Sequence, residues 1–177
     1  MLWQSTGCAL PIYSGEQARR TQQLVFTSEN LRDLLDIWER VWFLDQLHPD
    51  SPVYNISRAL RLTGRLDADA LERAVNEIVR RHEILRATFP SVNGKPVQTT
   101  AAELPIALQP IELSGLPAKL RSAAMARLLN SEAAAPFDLA RGPLIKMRLI
   151  KRAKNDHLLL LVLHQIICDG WSISLLL

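Results

Sequence analysis

The residues best suited to chemistry follow an apolar run near the end of the printed sequence. Leu158–Leu163 contains no polar side chain, which predicts a strand buried on both faces. His164 and Gln165 end this run, and Asp169 and Gly170 follow after three more residues. Polar groups at the end of a buried strand cost free energy unless they are paired, so this stretch is the first candidate for a functional site. An imidazole there could move a proton, whereas an amide could only donate or accept hydrogen bonds.

The residues after this stretch indicate a turn into a helix. Gly170 permits a sharp backbone turn. Trp171 and Ser172 then begin a helix, with Asp169 or Ser172 as its N-cap.

Residues 164–172 resemble the central motif of the condensation domains of nonribosomal peptide synthetases. That motif is His-His-x-x-x-Asp-Gly, usually followed by Trp-Ser, and this chain has Gln165 in place of the second His. The wider acyltransferase superfamily uses His-x-x-x-Asp-Gly, and that spacing, counted back from Asp169, falls on Gln165. His164 is therefore one position out of register, and neighbouring side chains of a strand point to opposite faces.

A second stretch, Arg81–Phe89, resembles another condensation-domain motif, Arg-His-Glu-x-Leu-Arg-Thr-x-Phe. It differs only at Ala87, which replaces Thr. We expect this motif, with Arg81, His82, Glu83 and Arg86, to shape the site rather than to carry out chemistry. A buried, ionised Asp169 would need a cationic partner, for which Arg86 or Arg81 is the candidate.

Weaker resemblances extend the match over about residues 35–177. Arg40–Leu47 is similar to the end of the first family motif, although Leu35, Ile37 and Trp38 stand where Ser, Ala and Gln are usual. Pro136–Leu144 is similar to the phrase that precedes the core strands. The resemblance implies an α/β two-layer sandwich lobe of the chloramphenicol-acetyltransferase-like type. We assign residues 25–177 to the N-terminal lobe, with the second lobe absent, and residues 1–24 to a leader or linker.

The resemblance also implies a reaction and its partners. Condensation domains join an acyl group and an aminoacyl group, which partner carrier domains hold as thioesters on phosphopantetheine arms; no cofactor is bound directly. The family's second His implies deprotonation or positioning of the attacking amine, and Asp169 and Gly170 would hold the motif in shape. Gln165 cannot act as a general base at neutral pH. The missing C-terminal lobe and adjacent synthetase domains would be further partners, so we expect this chain alone to be inactive.

Four alternatives are open on the sequence alone. One is a non-catalytic remnant or docking scaffold for carrier domains, favoured by Gln165. Another is a relative that uses a CoA thioester. His157, His164, Cys168 and Asp169 could be metal ligands, but their spacing matches no zinc signature, and we expect no metal. Cys168 and His164 could form a nucleophile pair, although a lone buried Cys is more often inert core.

Composition narrows the class of protein. The 177 residues are 48% hydrophobic and 22% charged, typical of one globular domain. A net charge of +3 spread along the chain argues against a nucleic-acid interface. Neither a membrane span nor a secretory signal is apparent. The two cysteines suggest no disulfide framework and favour a cytoplasmic location.

Hydrophobic periodicity predicts the remaining elements. We expect a helix that starts within Thr27–Asn30 and stops near His48–Pro52, with its Trp stripe in the core, and an amphipathic helix capped by Asp67 whose outer face includes Glu72. A third helix should cover Ala118–Ala135, ended by Pro136. Strands are predicted at Tyr54–Leu62, Ile84–Phe89, Ile106–Leu113 and Ile145–Arg152, with a hairpin turn at Asn93-Gly94.

Overall fold

The structure is a computed structural model that describes the backbone of residues 28–168 and the side chains from Trp38 onward. Helices are α1 Ser28–Leu47, α2 Ala68–Arg81 and α3 Ala118–Ala134. Strands are β1 Asn55–Thr63, β2 Ala87–Thr88, β3 Ser91–Val92, β4 Lys95–Pro96, β5 Thr99–Thr100, β6 Ile111–Glu112, β7 Ile145–Ala153 and β8 Asp156–His164. Short 3-10 helices cover Pro52–Tyr54, Glu83–Arg86 and Gln165–Ile167.

Strand β8 lies inside a four-stranded sheet of order β1-β8-β7-β6. It pairs antiparallel with β1 on one side and with β7 on the other, and β6 runs parallel to β7. Every residue from His157 to His164 is buried, and Leu160 and Leu163 have no exposed surface. The apolar run therefore forms the buried strand that the sequence predicts.

Helices lie against both faces of this sheet. Helix α2 begins at Asp67, whose side chain accepts the Ala70 N–H at 2.9 Å, and it packs Val75 and Val79 into the core. Helix α3 covers the opposite face, where Glu132 pairs with Arg148 of β7 at 2.7 Å. This arrangement confirms the predicted α/β lobe.

Helix α1 crosses the end of the sheet at which β8 stops, against the 3-10 helix Gln165–Ile167. Trp42 is buried, and its indole N–H donates to the carbonyl of Phe89 at 3.1 Å. Trp38 packs edge-on against the Phe89 ring, with 5.7 Å between centroids. The prediction that these tryptophans belong to the core is confirmed.

Two predicted strands are largely wrong. Ile84–Phe89 begins as a 3-10 helix, because the Leu85 N–H donates to the His82 carbonyl at 3.0 Å, and only Ala87–Thr88 is extended into a ladder.

Of Ile106–Leu113, only Ile111–Glu112 pairs as a strand. The reason is that α2 side chains satisfy the backbone before it. Asn76 Oδ1 accepts the Ile106 N–H at 2.8 Å, and Glu72 Oε2 accepts the Leu108 N–H at 2.7 Å. Glu72 is half-buried by this contact, so its predicted place on the outer face of α2 is also wrong.

The remaining element predictions are confirmed within a residue or two. The hairpin forms at Asn93 and Gly94, which have φ angles of 53° and 78°, as a tight turn with two left-handed residues requires. Strands β1 and β7 and helix α3 fall where the periodicity places them. Within residues 28–168, no helix combines the length and the apolar character needed to cross a membrane.

The buried strand should carry much of the stability of the lobe. We expect Leu160→Ala, at a position with no exposed surface, to lower the free energy of unfolding by about 2–5 kcal/mol through lost burial and a residual cavity. Leu120→Ala is the matched control, because Leu120 on α3 is 59% exposed; its effect should stay within about 0.5 kcal/mol. Urea denaturation measures both, and equal losses would contradict the packing described.

Candidate functional site

His164 ends strand β8 with its side chain turned into the core. Its exposed fraction is 1%. The ring lies between Tyr54 and Phe137, with centroid distances of 6.0 and 6.1 Å. Nδ1 accepts the N–H of Ile166 at 3.2 Å and so caps the 3-10 helix Gln165–Ile167. The imidazole therefore holds the turn that follows the strand.

Burial also keeps the imidazole of His164 uncharged near neutral pH. It lowers the pKa of His164 from 6.5 to about 4, because a cation in the core would lose its hydration. A backbone N–H can only donate, so Nδ1 must offer its lone pair and the neutral ring carries its proton on Nε2.

Gln165 occupies the opposite situation. Its side chain is exposed, whereas its neighbours His164 and Ile166 are buried. Gln165 is the first residue of the 3-10 helix that follows β8, so its exposure marks the point at which the chain leaves the buried strand. Of His164, the last residue of β8, and Gln165, which follows it, only Gln165 can contact a molecule arriving from solvent.

Asp45 is a site residue that the sequence reasoning missed. It lies on α1, its side chain is 12% exposed, and its Oδ1 is 3.9 Å from His164 Nε2. Burial raises the pKa of this carboxyl, and the nearby Asp138 and Asp50 raise it further, against a hydrogen bond from Gln46. The sequence contains a sign of this position, because Asp45 follows Trp42 by three residues and so lies on the same face of α1 as that apolar side chain. A carboxylate on an apolar face is unusual unless it has a partner.

Most of the second motif, Arg81–Phe89, lies away from His164 and Gln165. Its last residue, Phe89, contacts Trp42 and Trp38 of α1. His82 and Glu83 are exposed where α2 ends, and Arg81 forms an exposed ion pair with Glu77 at 2.6 Å. Arg86 donates to four backbone carbonyls, those of Val79, Arg80, Ala101 and Ala102. These contacts fasten the end of α2 to the segment after β5, which is an architectural arrangement.

Four of the predicted site residues, Asp169, Gly170, Trp171 and Ser172, lie outside the described residues. The pairing of Asp169 with Arg86 or Arg81 therefore stays a prediction. The structure does place both guanidinium groups in other contacts, with backbone carbonyls and with Glu77 respectively.

Strand geometry argues against the two other predicted chemistries. His157 and His164 are seven residues apart on β8, so they are separated by about 23 Å and face opposite sides of the sheet. Residues 28–168 contain no group of three or more His, Cys, Asp and Glu side chains that could hold a metal ion. Cys168 is buried, and the Nδ1 lone pair of His164 is used by Ile166, so this imidazole does not serve as the base of a Cys nucleophile.

Comparison with known proteins identifies the family. The family model named Condensation domain matches residues 29–177. The chain belongs to the condensation-domain family. A linear gramicidin synthase subunit of Brevibacillus parabrevis is 44% identical over 163 residues, which make up 92% of this chain and 3% of that relative.

Solved structures agree with the family and with the lobe. The first condensation domain of the calcium-dependent antibiotic synthetase, in complex with a substrate analogue, is 28% identical with a TM-score of 0.69; the match covers 77% of this chain and 33% of that one. A complex of the X-domain and OxyB from teicoplanin biosynthesis contains a chain that is 30% identical with a TM-score of 0.63, over 72% of this chain and 26% of that one. This condensation-family chain thus spans about a third or less of these structures and a small fraction of the gramicidin synthase relative. The family resemblance drawn from the motifs is confirmed.

The low pKa of His164 has a consequence for stability. At a pH between the ordinary pKa of 6.5 and the folded value of about 4, His164 is protonated in the unfolded chain but neutral in the folded chain. The free energy of unfolding should therefore fall by about 2 kcal/mol between pH 7 and pH 5 through this group alone. His164→Asn keeps an acceptor for the Ile166 N–H but cannot titrate, so it should flatten this part of the profile.

Urea denaturation at the two pH values measures the effect. His48→Gln is the control, because His48 is exposed after the end of α1, and it should keep the slope of the unmodified chain. An unchanged slope in His164→Asn would show that His164 titrates alike in both states.

Proposed function

We propose that this lobe serves amide-bond formation in nonribosomal peptide synthesis. The substrates are an acyl or peptidyl group and an aminoacyl group, each held as a thioester on the phosphopantetheine arm of a carrier domain. The amine attacks the donor carbonyl, the thiolate leaves, and the amine loses a proton. We place the reaction in the cytoplasm, which stays a prediction from the cysteine content of the sequence.

One observation carries the assignment of the reactive position. Strand β8 ends with His164 in the core, and Gln165, the first residue of the following 3-10 helix, faces solvent. A substrate amine can therefore meet the side chain of residue 165 but not the imidazole of residue 164. The family motif has a His at this outward position, so the geometry supports 165 as the place where the proton is handled.

Gln165 limits what this chain can do there. A carboxamide can orient an amine or donate to the oxygen of a tetrahedral intermediate, but it cannot take up a proton at neutral pH. Loss of the acid–base contribution is expected to slow amide formation by about 10²–10⁴-fold. Asp169 and Gly170 would keep their proposed role of holding the motif in shape.

An exposed apolar surface fits a role within a larger assembly. Phe43 and Leu47 on α1 and Val53 just after it are 57%, 54% and 72% exposed, and α1 packs against the turn that carries Gln165. Contact with a partner would bury the apolar area that these three side chains expose. We propose that a second lobe of the same domain covers this surface and completes the site, with carrier domains and neighbouring synthetase domains as further partners.

A docking scaffold without catalysis is the second candidate. Gln165 favours it, because the outward position lacks a base. The solved complex of the X-domain with OxyB also favours it, since in that structure a relative of this chain is bound to another protein. Such a scaffold would bind its partners through the same exposed surface but would not form amide bonds.

A chimera separates the two candidates. The aligned region of this chain would replace its counterpart in a condensation domain of the linear gramicidin synthase relative, 44% identical over 163 residues. With Gln165 we expect slow amide formation, and with Gln165→His a rate about 10²–10⁴-fold higher, because an imidazole returns to the outward position. Single-turnover transfer between loaded carrier domains, followed by mass spectrometry, measures the rate.

The matched control in the same chimera is Gln98→His, which adds an imidazole at an exposed residue after β4 and should not raise the rate. The unmodified 177-residue chain should show no transfer. If the chimera folds, as judged by its melting temperature, and Gln165→His brings no gain, the catalytic proposal fails and the scaffold is favoured.

A further inference from the structure

The proposed reaction at residue 165 does not use the proton on His164 Nε2. The ring is neutral and Nδ1 is used as an acceptor, so Nε2–H is a buried donor. Among residues 28–168, Nε2 has no hydrogen-bond partner within bonding distance. A buried donor left unpaired costs about 1–3 kcal/mol, so an acceptor is expected close by.

Asp45 supplies a suitable acceptor. Its Oδ1 lies 3.9 Å from Nε2, and a movement of less than about 1 Å would bring it to hydrogen-bond length. Asp45 is half-buried, with 12% of its side chain exposed. Burial that raises the pKa of this carboxyl also makes a hydrogen bond from a donor such as Nε2–H more favourable.

The surroundings leave the ring little freedom to turn elsewhere. Tyr54 and Phe137 pack on either side at 6.0 and 6.1 Å, and the Ile166 N–H fixes Nδ1 from a third direction. Asp138 and Asp50 act on Asp45 through their charge. The carboxyl of Asp45 is therefore the acceptor that lies near Nε2, at 3.9 Å, and Asp45 itself has acidic neighbours.

We propose that Asp45 is a positioning residue: it accepts the Nε2–H of His164, fixes the imidazole, and so holds the turn that presents residue 165 to substrate. This inference rests on the proposed function only for the role of residue 165. The chain of contacts itself runs from Asp45 through both ring nitrogens to the N–H of Ile166. Asp45 touches no reacting atom.

The direct test is proton and nitrogen NMR of the histidine-labelled 177-residue chain. We expect His164 to carry its proton on Nε2 and to show an N–H signal protected from exchange with water. Asp45→Ala should increase the exchange rate of that signal by at least about tenfold, because the acceptor is lost. Asp45→Asn keeps a side-chain oxygen acceptor and should retain most of the protection.

Two controls make the result interpretable. His164→Asn assigns the signal by removing it, and Glu39→Ala, an exposed residue on the same helix, should leave the exchange rate unchanged. A proton found on Nδ1, or equal protection in the unmodified chain and in a folded Asp45→Ala variant, would overturn the proposal. Circular dichroism establishes folding, and the position of the proton in the unmodified chain decides the tautomer without any variant.

A functional arm uses the Gln165→His chimera described above. Asp45→Ala should lower kcat by about 10–100-fold through misplacement of residue 165, with a smaller change in KM, and Asp45→Asn should recover most of the loss. If the chimera is inactive in every form while the NMR signal still depends on Asp45, the proposed function fails and the positioning contact stands. Full activity in a folded Asp45→Ala chimera would refute the effect on residue 165.

Discussion

The burial of strand β8 on both faces is the constraint on which the rest of the lobe depends. Helix α2 lies against one face and α3 against the other, and a slip of one residue would move every side chain of β8 to the opposite face. The strand stays buried through its last residue, His164, and Gln165, which begins the 3-10 helix after it, is exposed. The packing of this apolar strand therefore sets the positions of His164 and Gln165.

Helix α1 packs against the turn at the end of that strand. Trp42 anchors the helix to Phe89, the last residue of the second motif, and Asp45, one turn later on the same face, lies over His164. Two motifs far apart in sequence thus meet through one helix. The second motif contributes support rather than reactive groups, since Arg86 is engaged with backbone carbonyls and His82 and Glu83 are exposed at the end of α2.

Periodicity and turn chemistry were enough to predict the long elements from sequence. The buried run, the Asp67 cap and the Asn93-Gly94 turn each depend on residues close in sequence. The predictions were wrong where side chains distant in sequence accept backbone hydrogen bonds. Asn76 and Glu72 of α2 accept the N–H groups of Ile106 and Leu108, in the segment before Ile111 that was predicted as a strand. At the site, the motif spacing identified position 165, but Asp45 is brought to His164 only by tertiary packing.

Chemical labelling tests most directly whether the chain passes from a buried strand end at His164 to an exposed residue at Gln165. In a Cys8→Ser background, Gln165→Cys places a thiol three residues before Cys168, which is 6% exposed. Maleimide labelling followed by peptide mapping compares the two thiols within one molecule. Residue 165 should be labelled rapidly, and Cys168 should be protected until the chain unfolds. Protection of residue 165 in the folded chain would contradict this expectation, because that position would then be closed to any substrate.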